Sequence, residues 1–238
     1  MQAVMSVDQT NVHRSVPPTT GGFIETLAPA ARRDFASLLT TSTYPANMIL
    51  FQEKETPQYV YLLLEGEVKL SMNSSDGKRL ILRIVRKGEI VGLASALSGH
   101  SYDMTAETLH PAKLAPVSRR DFLNFLMRHP EAYPAVTEMI SLHFTMACEQ
   151  LRTVALSASA PRKLARLLLD WSEHGQATEA GTRFRFSLTH GEVGEFIGAS
   201  RETVTRTLSV FKSRRLVMFN GSTLIIPNKS ALEQYALD

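Results

Sequence analysis

The sequence predicts an α+β chain: a β sandwich or barrel, then one long helix, then a smaller region of strand, helix, turn, helix and hairpin. Three observations carry that reading. Short apolar runs broken by turn residues fill the stretch from about Thr43 to Val117, the pattern of many closely spaced strands. Apolar residues then recur at spacings of three and four from Val136 to Val154, which makes one stripe on a helix. Last, two short helical patterns flank Gly198-Ala199-Ser200 and lead to Asn220-Gly221 between apolar runs, a hairpin signal.

Residues 1–22 read as a polar arm, since Val16-Pro17-Pro18-Thr19-Thr20-Gly21-Gly22 has linker chemistry and no apolar period. Residues 23–132 form the strand-rich domain. It opens with a short helix from about Pro29 to Leu39, the proline tolerated in its first turn. Tyr59-Val60-Tyr61-Leu62-Leu63-Leu64 is a strong β run, and Val68, Leu70 and Met72 alternate with polar residues as in a half-buried strand. Asn73-Ser74-Ser75-Asp76-Gly77 is a hairpin loop, and Leu80 to Val85 returns as the next strand. Gly88, Gly92 and Gly99 punctuate the chain after that strand, and a helix from Arg119 to Arg128 stops at His129-Pro130.

Residues 133–156 are one long helix. Its stripe is Val136, Ile140, His143, Ala147, Leu151 and Val154. The spacing fits a helix packed on its own domain and equally a seam with a second copy. Residues 157–238 form the last domain. Ser157-Ala158-Ser159-Ala160-Pro161 is a hinge and helix start, Lys163 to Trp171 a helix, and His174 to Gly181 a polar loop.

The 238 residues accommodate one large domain or two modest ones, and 44% hydrophobic residues is ordinary for a globular chain. No stretch reaches the roughly 20 apolar residues that cross a bilayer, and the start lacks signal-peptide features. A cytoplasmic protein without membrane contact is expected. Cys148 is the only cysteine, which excludes an intramolecular disulfide and a multi-cysteine zinc or iron–sulfur site within one chain; the thiol reads as a buried small hydrophobe. There is no P-loop, dinucleotide fingerprint, Gly-x-Ser-x-Gly or His-Glu-x-x-His. No catalytic residue and no metal site is therefore expected, and the chain is not read as an enzyme.

Charge is local rather than global. The formal net charge is only +3, yet Ser200 to Arg215 holds five basic residues and one acid. Thr189-His190-Gly191-Glu192 has the spacing of a capping box. Val193, Phe196 and Ile197 give the first helix its apolar face, Gly198 suits the turn, and Ser200 caps the second helix. On that second helix Val204, Leu208 and Phe211 fall on one side. Glu202, Thr205, Arg206 and Ser209 fall on the other, with Arg201 at its margin. Such a split suits a recognition helix in the DNA major groove. Arginine pairs in bidentate fashion with guanine and glutamate accepts from cytosine, so Arg201, Glu202 and Arg206 are candidate base readers. Thr189, Ser200, Thr203 and Lys212 suit phosphates.

Ser200-Arg201-Glu202-Thr203-Val204-Thr205-Arg206 resembles the recognition-helix signature of the cyclic-AMP receptor protein/FNR regulators. Tyr61 to Val68, Gly88-Glu89-Ile90-Val91-Gly92 and Lys163 to Leu169 support the likeness, which runs from about residue 23 onward. The resemblance implies a jelly-roll sensor domain, a dimerisation helix and a winged helix. It implies a homodimer on double-stranded DNA with TGTGA-like half-sites, RNA polymerase as a protein partner, and the stripe above as the seam, while leaving open whether the protein is an activator or a repressor. It also places a weak effector pocket at Gly88, Glu89, Gly92, Ser95 and Cys148. The chain departs from the family there: Leu93 to Asp103 contains no arginine, and a buried phosphodiester needs one. Cyclic AMP in its usual pose is not expected, the FNR cluster is excluded, and the sequence names no cofactor in their place. His100 reads as a loop residue and His143 as a polar seam residue rather than as haem ligands. The alternative is a ligand-sensing module for haem, another nucleotide or a small apolar effector, with weak or vestigial DNA binding.

Overall fold

The computed structural model describes residues 22–156 and 159–237. The expected arm, apart from Gly22, and Ser157-Ala158 of the expected hinge lie outside the described residues. Two short helices, α1 (Phe23–Thr26) and α2 (Pro29–Ser37), open the fold. Pro29 sits in the first turn of α2, where its missing N–H costs nothing. Phe35 is fully buried against Phe23, edge-on at 5.1 Å.

The strands are β1 (Ser42–Tyr44), β2 (Ile49–Phe51), β3 (Tyr59–Glu65), β4 (Val68–Asn73), β5 (Arg79–Val85), β6 (Ile90–Val91), β7 (Thr105–Thr108) and β8 (Ala112–Ser118), with helix α3 (Leu93–Ser98) between β6 and β7. They form two antiparallel sheets, ordered β1-β8-β3-β6 and β2-β7-β4-β5. That order is a jelly roll, as expected. The β4–β5 hairpin turns through Ser74 to Lys78, with Gly77 at φ 81°, a conformation that glycine adopts without strain.

Helix α4 (Arg119–Arg128) has the expected limits and is capped by Ser118, whose hydroxyl accepts from Asp121 N. A short 3-10 turn at Pro130–Ala132 leads into α5 (Tyr133–Leu151), which ends in a π turn over Arg152–Leu156. The C-terminal domain runs α6 (Ala160–Ser172), β9 (Gln176–Thr178), β10 (Gly181–Arg185), α7 (His190–Ile197), α8 (Arg201–Ser213), β11 (Met218–Asn220), β12 (Thr223–Ile226) and α9 (Lys229–Leu237). Its sheet is ordered β11-β12-β10-β9. β11 and β12 turn through Gly221 at φ 58° to make the wing. The polar stretch expected as a loop after α6 contains the short strand β9, recruited by pairing with β10.

The two domains are docked. Ile84 of β5 and Leu109 join the apolar cluster of the C-terminal domain, and α7 lies against β5. This changes the reading of β4. Alternation places Lys69 and Ser71 on a solvent face, yet both are buried, at 4% and 0% exposure. The Lys69 ammonium is held between Glu107 Oε1 at 3.0 Å and Glu192 Oε1 of α7 at 2.8 Å.

Candidate nucleic-acid interface

The reading head is built from two caps and a tight turn. Thr189 and Glu192 form the full capping box of α7: the Thr189 hydroxyl accepts from Glu192 N, and Glu192 Oε2 accepts from Thr189 N at 2.9 Å. α7 ends at Gly198 in the left-handed region, φ 65°. The helices cross closely, since a Cβ on Gly194 would stand 2.5 Å from the Ala199 carbonyl oxygen. Ser200 caps α8 by accepting from Thr203 N at 3.2 Å. Val204, Leu208 and Phe211 are buried, with Thr207 beside them. Arg201, Glu202, Thr205, Arg206 and Ser209 are exposed along the opposite face.

That face carries the chemistry needed at base edges. Arg201 and Arg206 take no part in the ion pairs found among the described residues, so both forks are available. The Glu202 carboxyl is held below the ordinary range, first by its own backbone N–H, then by the Ser200 hydroxyl and the Arg201 charge. It is thus an acceptor at neutral pH. Ser200, Thr203 and Thr189 cluster at the two helix N-termini, where free N–H groups and the helix dipole favour anions. Lys212 extends over the Phe219 ring of the wing, 4.4 Å from its centroid. That contact ties the expected phosphate contact to the hairpin. Sequence reasoning passed over His190. Its Nδ1 lies 2.8 Å from Thr205 Oγ1, so it borders the exposed face of α8 from the neighbouring helix. Its place inside the capping-box motif hid it.

The long helix corrects the expected seam. Val136 is buried at 2% and Ile140 packs on the same sensor core. His143 is not a polar seam residue: its Nε2 lies 2.9 Å from Arg83 Nη2 and 3.3 Å from Glu89 Oε2, within the chain's own sensor domain. Val154 covers Gly198 at the turn of the reading head, its Cγ1 3.2 Å from where a Cβ would stand. Gln150 lies on this inner side too; its Nε2 donates to Ile81 O of the sensor at 3.0 Å and to Phe196 O of α7 at 2.6 Å. The inner face of the helix is therefore used within the chain. Ala147 is half-buried between the two faces. The outward stripe is Thr137, Ser141, Phe144, Cys148, Leu151 and Ala155, spaced alternately four and three apart. Phe144 is 71% exposed and Leu151 56%. Cys148 is half-buried on this stripe rather than enclosed.

The weak effector pocket also changes. Glu89 is engaged internally by Arg83 Nη1 at 2.5 Å, by His143, and by the Arg86 backbone N–H at 2.9 Å. Burial alone would raise its pKa. The His143 contact, the Arg83 charge and hydrogen bond and the Arg86 N–H outweigh that and bring it to about 2. Gly92, at φ 81°, is closed over by the Tyr102 and Phe51 rings, which stack 3.7 Å apart. Tyr61, Phe51 and Tyr102 are core residues of the jelly roll, and the Tyr102 hydroxyl donates to Tyr59 O at 2.6 Å. Ser95 is buried in α3. Gly88 borders a shallow cleft beside Leu62 to Leu64 and Glu25. Aromatic rings pack beside Gly92, and Leu93 to Asp103 contains no arginine.

Comparison with known proteins agrees with this architecture. The cyclic nucleotide-binding domain family matches residues 41–129 and the Crp-like helix-turn-helix domain family residues 162–235. The transcriptional activatory protein AadR of Rhodopseudomonas palustris is 27% identical over 207 residues, covering 85% of this chain and 84% of that protein. The cAMP-activated global transcriptional regulator CRP of Pasteurella multocida is 23% identical over 184 residues, covering 77% and 88%. Among solved structures, FixK2 from Bradyrhizobium japonicum superposes with a TM-score of 0.73 at 21% identity, covering 83% of this chain and 96% of that one. A jelly-roll sensor docked on a winged helix-turn-helix defines a transcription regulator with a DNA-binding domain. The chain belongs to the CRP/FNR family.

Proposed function

We propose that the protein is a dimeric, sequence-specific transcription regulator that reads a DNA palindrome with TGTGA-like half-sites. The carrying observation is the exposed face of α8, where Arg201, Glu202 and Arg206 stand above the buried Val204–Leu208–Phe211 row and neither arginine is held in an ion pair among the described residues. Arg201 and Arg206 recognise guanine, and Glu202 accepts from cytosine. Thr189, Ser200, Thr203 and Lys212 contact phosphates and set the register. Two copies associate through the outward stripe of α5, centred on Phe144, Cys148 and Leu151. Their reading heads then meet half-sites about one helical turn apart. RNA polymerase is the expected protein partner, and the effector is not cyclic AMP in its usual pose.

Gel shift with a TGTGA-type palindrome tests the base readers. Arg201→Ala and Arg206→Ala should each weaken the specific complex by about 1–3 kcal/mol, a factor of roughly 5 to 150. Wild-type affinity in both variants would refute the assignment. The rival reading, a sensor with vestigial DNA binding, predicts no preference for the palindrome over scrambled DNA at any salt concentration.

A further inference from the structure

The docked domains enclose a cleft that the DNA-reading role leaves unused. Its volume is about 170 Å³, and its walls come from both domains. Glu67 and Arg86 are contributed by the sensor, Trp171 by the end of α6, His174 by the turn after it, and Phe184 and Arg185 by β10. The Arg86 guanidinium is half-buried, and no carboxylate among the described residues lies within ion-pair distance of it. Burial lowers its pKa, while Glu67 and Glu89 act at longer range to raise it. A partly desolvated cation without a hydrogen-bonded acceptor is costly. The field of Arg86 reaches across the cleft: after burial itself, it is the main influence lowering the pKa of His174. Arg185 adds a second guanidinium at the exposed rim. Glu67 supplies one negative charge and is partly committed, accepting from Ser187 Oγ at 3.2 Å. With His174 neutral, the fixed charges of the cleft sum to one positive. Trp171 supplies a half-buried indole, held by Phe186 at 5.8 Å and Phe196 at 6.3 Å.

We propose that this interdomain cleft is a binding site for a small aromatic carboxylate, with its anionic group on Arg86 and Arg185 and its ring against Trp171. A carboxylate matches the single net charge and the planar guanidinium fork. The volume lies below that of drug-sized pockets and suits a fragment of about ten non-hydrogen atoms. Phe184 and the indole give the ring an apolar wall.

Trp171 is the only tryptophan in the chain, so its fluorescence reports the site directly. Benzoate is the probe and benzamide its neutral counterpart, titrated into the full chain at fixed ionic strength. Benzoate should give a saturable change at roughly millimolar concentration, as expected for so few atoms. Benzamide and the Arg86→Met protein should each bind at least about tenfold more weakly, the loss expected for a charge-assisted pair. Arg185→Met, on the exposed rim, should lose a smaller factor and carries the test should Arg86→Met misfold by circular dichroism. Lys87→Ala, an exposed neighbour outside the cleft, should bind as wild type. A strictly linear, non-saturating quench would overturn the site. Equal binding of benzamide, or wild-type affinity in both arginine variants, would overturn the charge assignment on which it rests.

Discussion

Lys69→Met is expected to loosen the docking of the reading head on the sensor. The side chain of Lys69 is 5% exposed and sits between Glu107 at 3.0 Å and Glu192 at 2.8 Å. Removing one member of a buried ion pair costs about 3–5 kcal/mol when the survivor has no other partner. Both survivors here keep partners. Glu107 retains Arg79 Nη2 at 2.6 Å, and Glu192 retains Thr189 N and Oγ1, each at 2.9 Å. The expected loss is therefore about 2 kcal/mol, roughly thirtyfold in the folding equilibrium. Because Lys69 belongs to the sensor and Glu192 to α7, their coupling is a coupling between domains. Urea denaturation of wild type, Lys69→Met, Glu192→Gln and the double variant measures it, and glutamine preserves the capping box. A coupling of about 1–2 kcal/mol is expected. Additivity within about 0.3 kcal/mol would refute the latch.

If the proposed dimer forms through the outward stripe of α5, Phe144→Glu should sediment as a monomer at concentrations where the wild type sediments as a dimer. Val136→Ala should instead lower stability by about 1–3 kcal/mol through a core cavity and leave association intact. Glu195→Gln should stabilise the chain by about 1 kcal/mol in urea denaturation. Burial raises the Glu195 carboxyl, one of its oxygens is buried without a partner, and Arg79 Nε is 3.9 Å away. Glu89 is the opposite case. Its carboxyl sits at about 2 in the folded chain, so its stabilisation is complete above the ordinary glutamate range and is lost as pH falls from about 4.5 toward 2. Denaturation between pH 2 and 6 should show a shallower acid limb for Glu89→Gln. Lys212→Ala should weaken binding to all DNA sequences alike and reduce the slope of log affinity against log salt by about 1; altered discrimination between sites would contradict its phosphate role.

Features decided by local chemistry alone were legible in the sequence. The capping box at Thr189 and Glu192, the left-handed Gly198, the Ser200 cap and the split faces of α8 all arise from contacts within a few residues. The same holds for the limits of α4 and the Asn220-Gly221 wing. The long helix was legible as a helix, but its orientation was not. Stripes one residue apart in register are both consistent with a spacing of three and four. Only the sensor core and the Arg83–Glu89 pair decide that Val136, Ile140 and His143 turn inward while Phe144 turns out. Lys69 shows the same limit on a strand. Its alternation correctly names two faces, but water on the second face was an assumption that α7 removes. Period fixes which residues share a face, because that is set by backbone geometry. The cover over that face is set by residues more than a hundred positions away, and that only the tertiary structure decided.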